Sequence, residues 1–438
     1  MSQESYQIEK LVHGGFGLSR DQNGQVILLE GVIAGETVEA RLGDRRKNLT
    51  KGAATRILQA SPGRISPPCP RYRDCGGCDF QHMEYPLQLA AKKEILRDLL
   101  KRSGHPILQE GGDTLLSDPL PSPEQFHYRQ RIRLQVDDRR VVGFHKRHSH
   151  NCVAVSSCML AHREINVCLQ ELVGHASLQK LLANTNSLEL LYDPETAGTI
   201  LFIHFQRKAR PADKQHAQTL LRDVETIGNV IFLGDGFAPT GQATLSYSLP
   251  QFPPHTTAPL KLSLESGGFC QVNLQQNEQL VRTVLDLCRL EQGDEVLDLF
   301  CGMGNFSIPL AEKAGSLLGV EGQGSAIRSA RKNSAAVGQV NTEFIKSPIH
   351  QACEELAREQ RSFDCVLIDP PRQGAPGLAD TMAALCRKRL VYVSCDPATL
   401  CRDLVHLLEQ GFTLKALQPV DMFPQTHHIE TVALLKKE

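Results

Sequence analysis

Between residue 295 and the carboxyl end, seven short apolar runs recur, at 295–300, 316–321, 342–345, 364–369, 389–394, 411–418 and 430–435. Helical stretches separate the first five, and a Pro-containing loop joins the last two. Runs that are apolar throughout suit strands covered on both faces, and their alternation with helices predicts a doubly wound, largely parallel sheet. The closing pair reads as a hairpin, so one antiparallel strand is expected near the carboxyl end. A helix with Leu280, Val284, Leu287 and Cys288 on one face precedes the set. In such sheets ligands gather at the carboxyl ends of the strands. Phe300, Glu321, Asp369 and Cys395 each end or directly follow a strand there.

This sheet accounts for less than half of the 438 residues, and a chain of that length has room for about three domains. Pro-rich stretches at 61–70, 117–123 and 250–259 mark the edges, which suggests units at 1–60, 61–255 and 256–438. The first is rich in Gly and β-formers, and five short strands in about 60 residues suit a small barrel of the oligonucleotide-binding kind. A helix is expected over 84–102, with Leu89, Leu96, Leu99 and Leu100 as its stripe and Gly104 as its stop. From 126 to 249 the pattern is mixed and β-rich. No apolar run approaches a membrane span and the amino terminus lacks a signal core. A cytoplasmic, monomeric protein without membrane contact is expected.

Charge narrows the partners. Lys plus Arg number 48 and Asp plus Glu 49, so nucleic-acid binding requires a local basic patch. Residues 126–150 offer one: Arg129, Arg131, Arg133, Arg139, Arg140, Lys146 and Arg147 face only Asp137 and Asp138. The Arg-x-Arg-x-Arg run would put guanidiniums on one strand face, against RNA phosphates. Arg45-Arg46-Lys47 is a second, weaker candidate.

A cofactor pocket is expected where Val296-Leu297-Asp298-Leu299-Phe300-Cys301-Gly302-Met303-Gly304-Asn305 runs from strand through a Gly-x-Gly turn into a helix. Glu321, about 20 residues on, could grip both ribose hydroxyls. NAD fits poorly, because Ser307 stands where the dinucleotide fingerprint has its third glycine and the strand carries Asp298. S-adenosylmethionine, which has no pyrophosphate, fits better. A rigid Asp369-Pro370-Pro371-Arg372 loop lies beside the pocket. An exocyclic amine target is disfavoured, since Arg372 replaces the aromatic residue usual after the prolines.

Cys395 precedes Asp396-Pro397, an N-cap followed by a residue suited to the first helical position. The positive end of that helix is expected to lower the thiol pKa and favour a nucleophilic thiolate. A thiolate has a use beside a methyl donor. Carbon 5 of uracil is too weak a nucleophile until a thiolate adds to carbon 6, and a base must later take the carbon 5 proton. Glu430, which opens the last strand, is the candidate base, with His427 and His428 as supports.

These residues resemble the RNA uracil-5-methyltransferase family, which makes 5-methyluridine in ribosomal and transfer RNA. The matching segments are Phe269-Cys270-Gln271-Val272-Asn273, the 298–307 turn, Asp369-Pro370-Pro371-Arg372, Ser394-Cys395-Asp396-Pro397-Ala398-Thr399-Leu400 and His428-Ile429-Glu430. The resemblance implies a Rossmann-like class I methyltransferase domain, preceded by a TRAM barrel over the first 60 residues and an iron–sulfur central domain. It implies Cys395 as nucleophile, Glu430 as base, and Gln271, Phe300, Asn305, Glu321 and Asp369 as S-adenosylmethionine contacts. The chain departs from the family at Lys346-Ser347-Pro348-Ile349, where an acidic residue commonly lies near the adenine.

Cys69-(x5)-Cys75-(x2)-Cys78, with Cys158 80 residues later, suggests a metal in a reducing compartment. Spacing alone leaves zinc and iron–sulfur open, with a redox Cys-Gly-Gly-Cys lacking its strand–helix context. The resemblance implies a [4Fe-4S] cluster on Cys69, Cys75, Cys78 and a distant fourth cysteine, Cys158 first and Cys152 second. Barrel plus cluster favours 23S ribosomal RNA over transfer RNA. A non-catalytic RNA-binding iron–sulfur module would not need Cys395 and Glu430 together, and a nicotinamide oxidoreductase would bind NAD instead.

Overall fold

The computed structural model describes residues 5–46, 49–111, 114–235, 239, 244–249, 259–265 and 268–437. Residues 250–258 of the linker expected at 250–259 and the side chains of Arg45, Arg46 and Lys47 lie outside the described residues.

The described residues among the first 60 form six strands, one more than expected: β1 (Ser5–Gln7), β2 (Lys10–Val12), β3 (Phe16–Arg20), β4 (Val26–Glu30), β5 (Thr37–Arg46) and β6 (Leu49–Gln59). Their order is β1-β5-β6-β4-β3-β2, and the sheet curls around Tyr6, Ile8, Ile27, Leu29, Val32 and Val38. Gly17 permits the curl, because a Cβ there would meet Val32 Cγ2 at 2.2 Å. Helix α1 (Tyr85–Arg102) follows, with Pro86 in its first turn, and Gly104 at φ +81° turns the chain into the short α2 (Pro106–Gly111).

The central region is a second six-stranded sheet. It comprises β7 (Arg131–Val136), β8 (Val142–His145), β9 (Cys152–Ala154), β10 (Thr185–Asp193), β11 (Gly198–Phe205) and β12 (Ile227–Leu233), in the order β12-β11-β10-β7-β8-β9. Helices α3 (Arg163–Leu172), α4 (Ala176–Leu182) and α5 (Pro211–Asp223) contribute Ile165, Leu178 and Leu220 to a core shared with Leu188, Leu190 and Leu201 of the sheet. Residues of opposite parity, Leu191, Ile200 and Phe202, join the core of the carboxyl-terminal region instead. A hairpin of β13 (Thr244–Leu249) and β14 (Leu260–Glu265) lies between the two regions in sequence and packs into that same core.

The remainder is the doubly wound sheet read from the sequence. After α6 (Leu274–Cys288) come β15 (Glu295–Leu299), α7 (Ser307–Ala311), β16 (Ser316–Glu321), α8 (Gly324–Ala336), β17 (Thr342–Lys346), α9 (Ile349–Arg358), β18 (Phe363–Ile368), α10 (Ala379–Leu385), β19 (Cys386–Ser394), α11 (Pro397–Glu409), β20 (Phe412–Val420) and β21 (Glu430–Lys437). The order is β17-β16-β15-β18-β19-β21-β20. The first five are parallel, and β21 runs antiparallel to both its neighbours. The order reverses between β15 and β18, which opens a crevice at their carboxyl ends. Among the described residues no helix is long and apolar enough to cross a membrane.

Candidate active site

The turn after β15 supplies the crevice wall. Phe300 adopts φ +62°, rare for a residue with a side chain, and Gly302 (+56°) and Gly304 (+90°) continue the turn. A Cβ on Gly302 would touch nothing, whereas one on Gly304 would meet Ile308 at 3.0 Å. The open space is therefore on the Gly302 side. At the end of β16, Glu321 Oε1 accepts from the Gln323 backbone N–H at 2.7 Å. Gln271 is buried on the segment leading into α6. Asn305 is already engaged: its Oδ1 accepts from Tyr247 Oη (2.8 Å) and Asn277 Nδ2 (2.9 Å), and its Nδ2 donates back to Asn277 Oδ1 (2.9 Å). It ties the turn to α6 and β13.

One member of this group is missing from the sequence-based set. Asp298 is fully enclosed on β15, Ser307 Oγ donates to its Oδ2, and its Oδ1 has no partner. Burial pushes its carboxyl up to about 7, and Asp369 and Glu321 push in the same direction. Asp369, after β18, is likewise raised to about 7 by burial. Among the described residues no cation is paired with Asp298, Glu321 or Asp369, an arrangement that a positively charged ligand would stabilise.

Cys395 and Glu430 meet at the neighbouring strand ends. Ser394 of β19 pairs with Thr431 of β21, so the residue after one lies opposite the residue before the other. Asp396 caps α11, its Oδ1 accepting from the backbone N–H of Ala398 (2.9 Å) and Thr399 (3.0 Å). The expected cap is present, but the expected pKa effect is overturned. Burial first, then the charges of Glu430 and Asp369, raise the Cys395 thiol to about 12, against a smaller opposing effect of Arg372. The helix terminus cannot compensate, because the cap carboxylate consumes its free N–H groups and offsets its partial positive charge. Glu430 is itself buried, and burial together with Asp369 raises its carboxyl well above the usual range. Nearby, His428 is lowered to about 3, by burial and then by His427 and Arg372, and its Nε2 lies 3.4 Å from Arg372 Nη2.

The four cysteines singled out from the sequence line a single cavity of about 520 Å³, together with Arg129, Arg131 and Arg133. Burial raises the Cys75, Cys78 and Cys158 thiols, Cys78 to about 12, and neighbouring thiols of the set add to each shift. Cys152 does not line this cavity, and the charge beside it is that of Asp137. Among the described residues no three His, Cys, Asp or Glu side chains are gathered so as to hold a metal ion. The arginine stripe also differs from expectation. Arg131 pairs with the buried Glu189 of β10 at 2.7 Å, Arg129 precedes the strand with its guanidinium 5.8 Å from the Phe423 ring centre, and Arg133 alone is exposed, its Nε on Ser187 Oγ at 3.0 Å. The acid on the adjacent strand neutralises one guanidinium, and packing claims another.

Residues 259–438 match a family model described as tRNA (uracil-5-)-methyltransferase. Over nearly its whole length the chain is similar to the 23S rRNA (uracil(1939)-C(5))-methyltransferase RlmD of Shewanella amazonensis, at 33% identity with 98% of this chain and 94% of that protein covered. The RlmD of Pectobacterium carotovorum is 34% identical, with 96% and 91% covered. Among solved structures, the tRNA (uracil-54, C5)-methyltransferase of Pyrococcus abyssi, in complex with S-adenosyl-L-homocysteine, superposes with a TM-score of 0.74, at 23% identity over 99% of this chain and 100% of that one. That last likeness is one of fold, whereas the first two extend over sequence and length alike. The chain belongs to the RNA uracil-5-methyltransferase family.

Proposed function

We propose that this protein methylates carbon 5 of a uridine in 23S ribosomal RNA, using S-adenosylmethionine and a covalent adduct on Cys395. The observation that carries the reading is the juxtaposition of Cys395 and Glu430 at paired strand ends, beside a crevice of uncompensated carboxyls. The sulfonium and ammonium groups of S-adenosylmethionine suit Asp298 and Asp369, Glu321 suits its ribose hydroxyls, and Phe300, Asn305 and Gln271 complete its site. Once that cation offsets the negative field, the thiol proton is lost to solvent. The Cys395 sulfur adds to carbon 6, and the carbon 5–carbon 6 π electrons pass toward the carbon 4 oxygen. Carbon 5 then attacks the methyl group, leaving S-adenosylhomocysteine. The same offset lets Glu430 ionise by losing its proton to solvent; its burial then makes it a stronger base than a surface carboxylate, and it takes the carbon 5 proton. The sulfur–carbon 6 bond breaks and the double bond returns.

Ribosomal RNA is favoured over transfer RNA by the relatives that match across both chains. In this reading residues 1–60 are a TRAM-type RNA-binding barrel, 61–255 the central domain and 256–438 the methyltransferase domain. Cys69, Cys75, Cys78 and Cys158 would hold a [4Fe-4S] cluster in the central domain. Their arrangement around a cavity, rather than about one point, suits a cubane better than a single tetrahedral ion. When bound, the cluster would supply structural cross-linking.

The test uses the full chain, S-adenosylmethionine and unmodified 23S RNA. Cys395→Ala should form no methylated product and no adduct while still binding RNA. Glu430→Gln should methylate but fail to eliminate, accumulating a protein–RNA band on a denaturing gel. Turnover of Glu430→Gln at the wild-type rate would sink the assignment of the base, and an adduct in Cys395→Ala that of the nucleophile.

A further inference from the structure

The loop from 421 to 429 delivers Glu430 to the site, and it is held from both halves of the cysteine framework. On one side, Asp79 directly follows Cys78. Its Oδ2 accepts from the His427 backbone N–H at 3.2 Å and lies 2.6 Å from His427 Nδ1. The backbone N–H groups of Asp79 and Phe80 both donate to Gln425 O at 3.0 Å, and Gln425 sits at φ +68°. Phe80 also packs with Ile429, the residue before the base. On the other side, Tyr128 Oη donates to Pro424 O at 3.0 Å. The adjoining Arg129 exchanges backbone hydrogen bonds with Leu160 and His162, just beyond Cys158. A separate anchor comes from α1, where Gln88 and Gln425 exchange hydrogen bonds of 3.0 Å.

These contacts are not equivalent. The α1 anchor holds the loop at 421–425, whereas the Asp79 carboxylate holds it at 427, three residues from the carboxylate that must reach carbon 5. We infer that Asp79 is a positioning residue for the base: through His427 it fixes the approach of Glu430, so that the cysteine loop 69–78 sets the geometry of the proton-abstraction step. The inference rests on the proposed role of Glu430 and adds a residue 351 positions away in sequence. Asp79 touches no reacting atom. Its removal should leave the crevice and Cys395 in place, because neither is on the loop it anchors. Addition and methyl transfer then proceed, and the later proton removal slows. A displacement of the base by about an ångström suffices to slow that step about 100-fold.

The experiment compares wild type, Asp79→Ala and Glu430→Gln as full-length proteins, each checked for iron content and melting temperature. Asp79→Ala should lower kcat about 10- to 100-fold, leave the KM for S-adenosylmethionine within about twofold, and accumulate the methylated protein–RNA adduct, as Glu430→Gln does. His427→Ala, which keeps the backbone contact, should show a smaller version of the same pattern and serves if Asp79→Ala does not fold. A merely structural role would slow addition and elimination together and leave no adduct. A folded Asp79→Ala with wild-type kcat, or with reduced kcat and no adduct, overturns the inference while Glu430→Gln still traps. Absence of adduct in Glu430→Gln itself removes the reading beneath it.

Discussion

Asp298 illustrates what one enclosed side chain does to the crevice. Its unpartnered Oδ1 and a carboxyl raised to about 7, chiefly by burial, mean that the folded protein holds this proton more tightly than the unfolded chain. The stability it contributes is therefore full below about pH 4, the unfolded value, and is lost as the pH rises through 7. Asp298→Asn should stabilise the unliganded protein at pH 8 by about 1–3 kcal/mol, and by less at pH 5.5, in urea titrations at the two pH values. The same change should weaken S-adenosylmethionine binding at least about tenfold by calorimetry, an amount near 1.4 kcal/mol. Equal stability changes at both pH values would refute the raised carboxyl. Only half of this was legible in the sequence. The residue stands out as an acid in an apolar strand, but its solvent-free surroundings and missing partner depend on Glu321 and Asp369 arriving from two other strands. Cys395 shows the converse: the N-cap Asp396 is readable locally, and the raised thiol comes from non-local carboxylates.

The elements of the carboxyl-terminal sheet are legible because its central strands are buried on both faces and so write apolar runs, as in Val296-Leu297 or Leu390-Val391-Tyr392-Val393. Helix α1 is harder. Leucines at 89, 96, 99 and 100 suggest an apolar stripe, but the buried face is Gln88, Lys92, Ile95, Leu96 and Leu100. Its polar end is explained 329 residues later, where Lys92 Nζ donates to Asp421 Oδ1 at 2.6 Å and to Phe423 O at 3.0 Å, while Tyr85 Oη donates to Asp421 Oδ2 at 2.8 Å. Burial lowers the Lys92 ammonium, and Asp421 opposes that shift. Removing one partner of such a pair strands the other in a dry site. Lys92→Met should therefore cost roughly 3–5 kcal/mol in urea unfolding. Adding Asp421→Asn should recover part of that loss, since the abandoned charge is the larger penalty. No recovery in the double variant would mean that Lys92 matters by packing alone.

At the scale of the whole molecule, the amino-terminal segment was readable as a small β-unit and the central sheet only as a β-rich region, since a strand order such as β12-β11-β10-β7-β8-β9 is set by long-range pairing that local pattern does not encode. The cysteines mark the boundary of what spacing can say. Cys69, Cys75 and Cys78 announce themselves, but spacing does not choose between Cys152 and Cys158, six residues apart; the resemblance ranks Cys158 first, and the fold adds a physical difference between them. Cys152 opens β9 beside Asp137, whereas Cys158 lies beyond that strand, on the cavity shared by the other three. A cluster bridging 69–78 to 158 would join Cys78 and Cys158 across a separation of 80 positions and stabilise only the folded state, by mass action. Anaerobically purified protein should be brown, with about four irons and matching sulfide per chain. Cys158→Ser should lose the colour and melt several degrees lower, whereas Cys152→Ser should keep both, because Cys152 does not line the shared cavity. Parallel iron assays and thermal melts decide the matter: one tightly bound zinc without sulfide overturns the cluster, and colour lost in Cys152→Ser but kept in Cys158→Ser overturns the choice of fourth ligand.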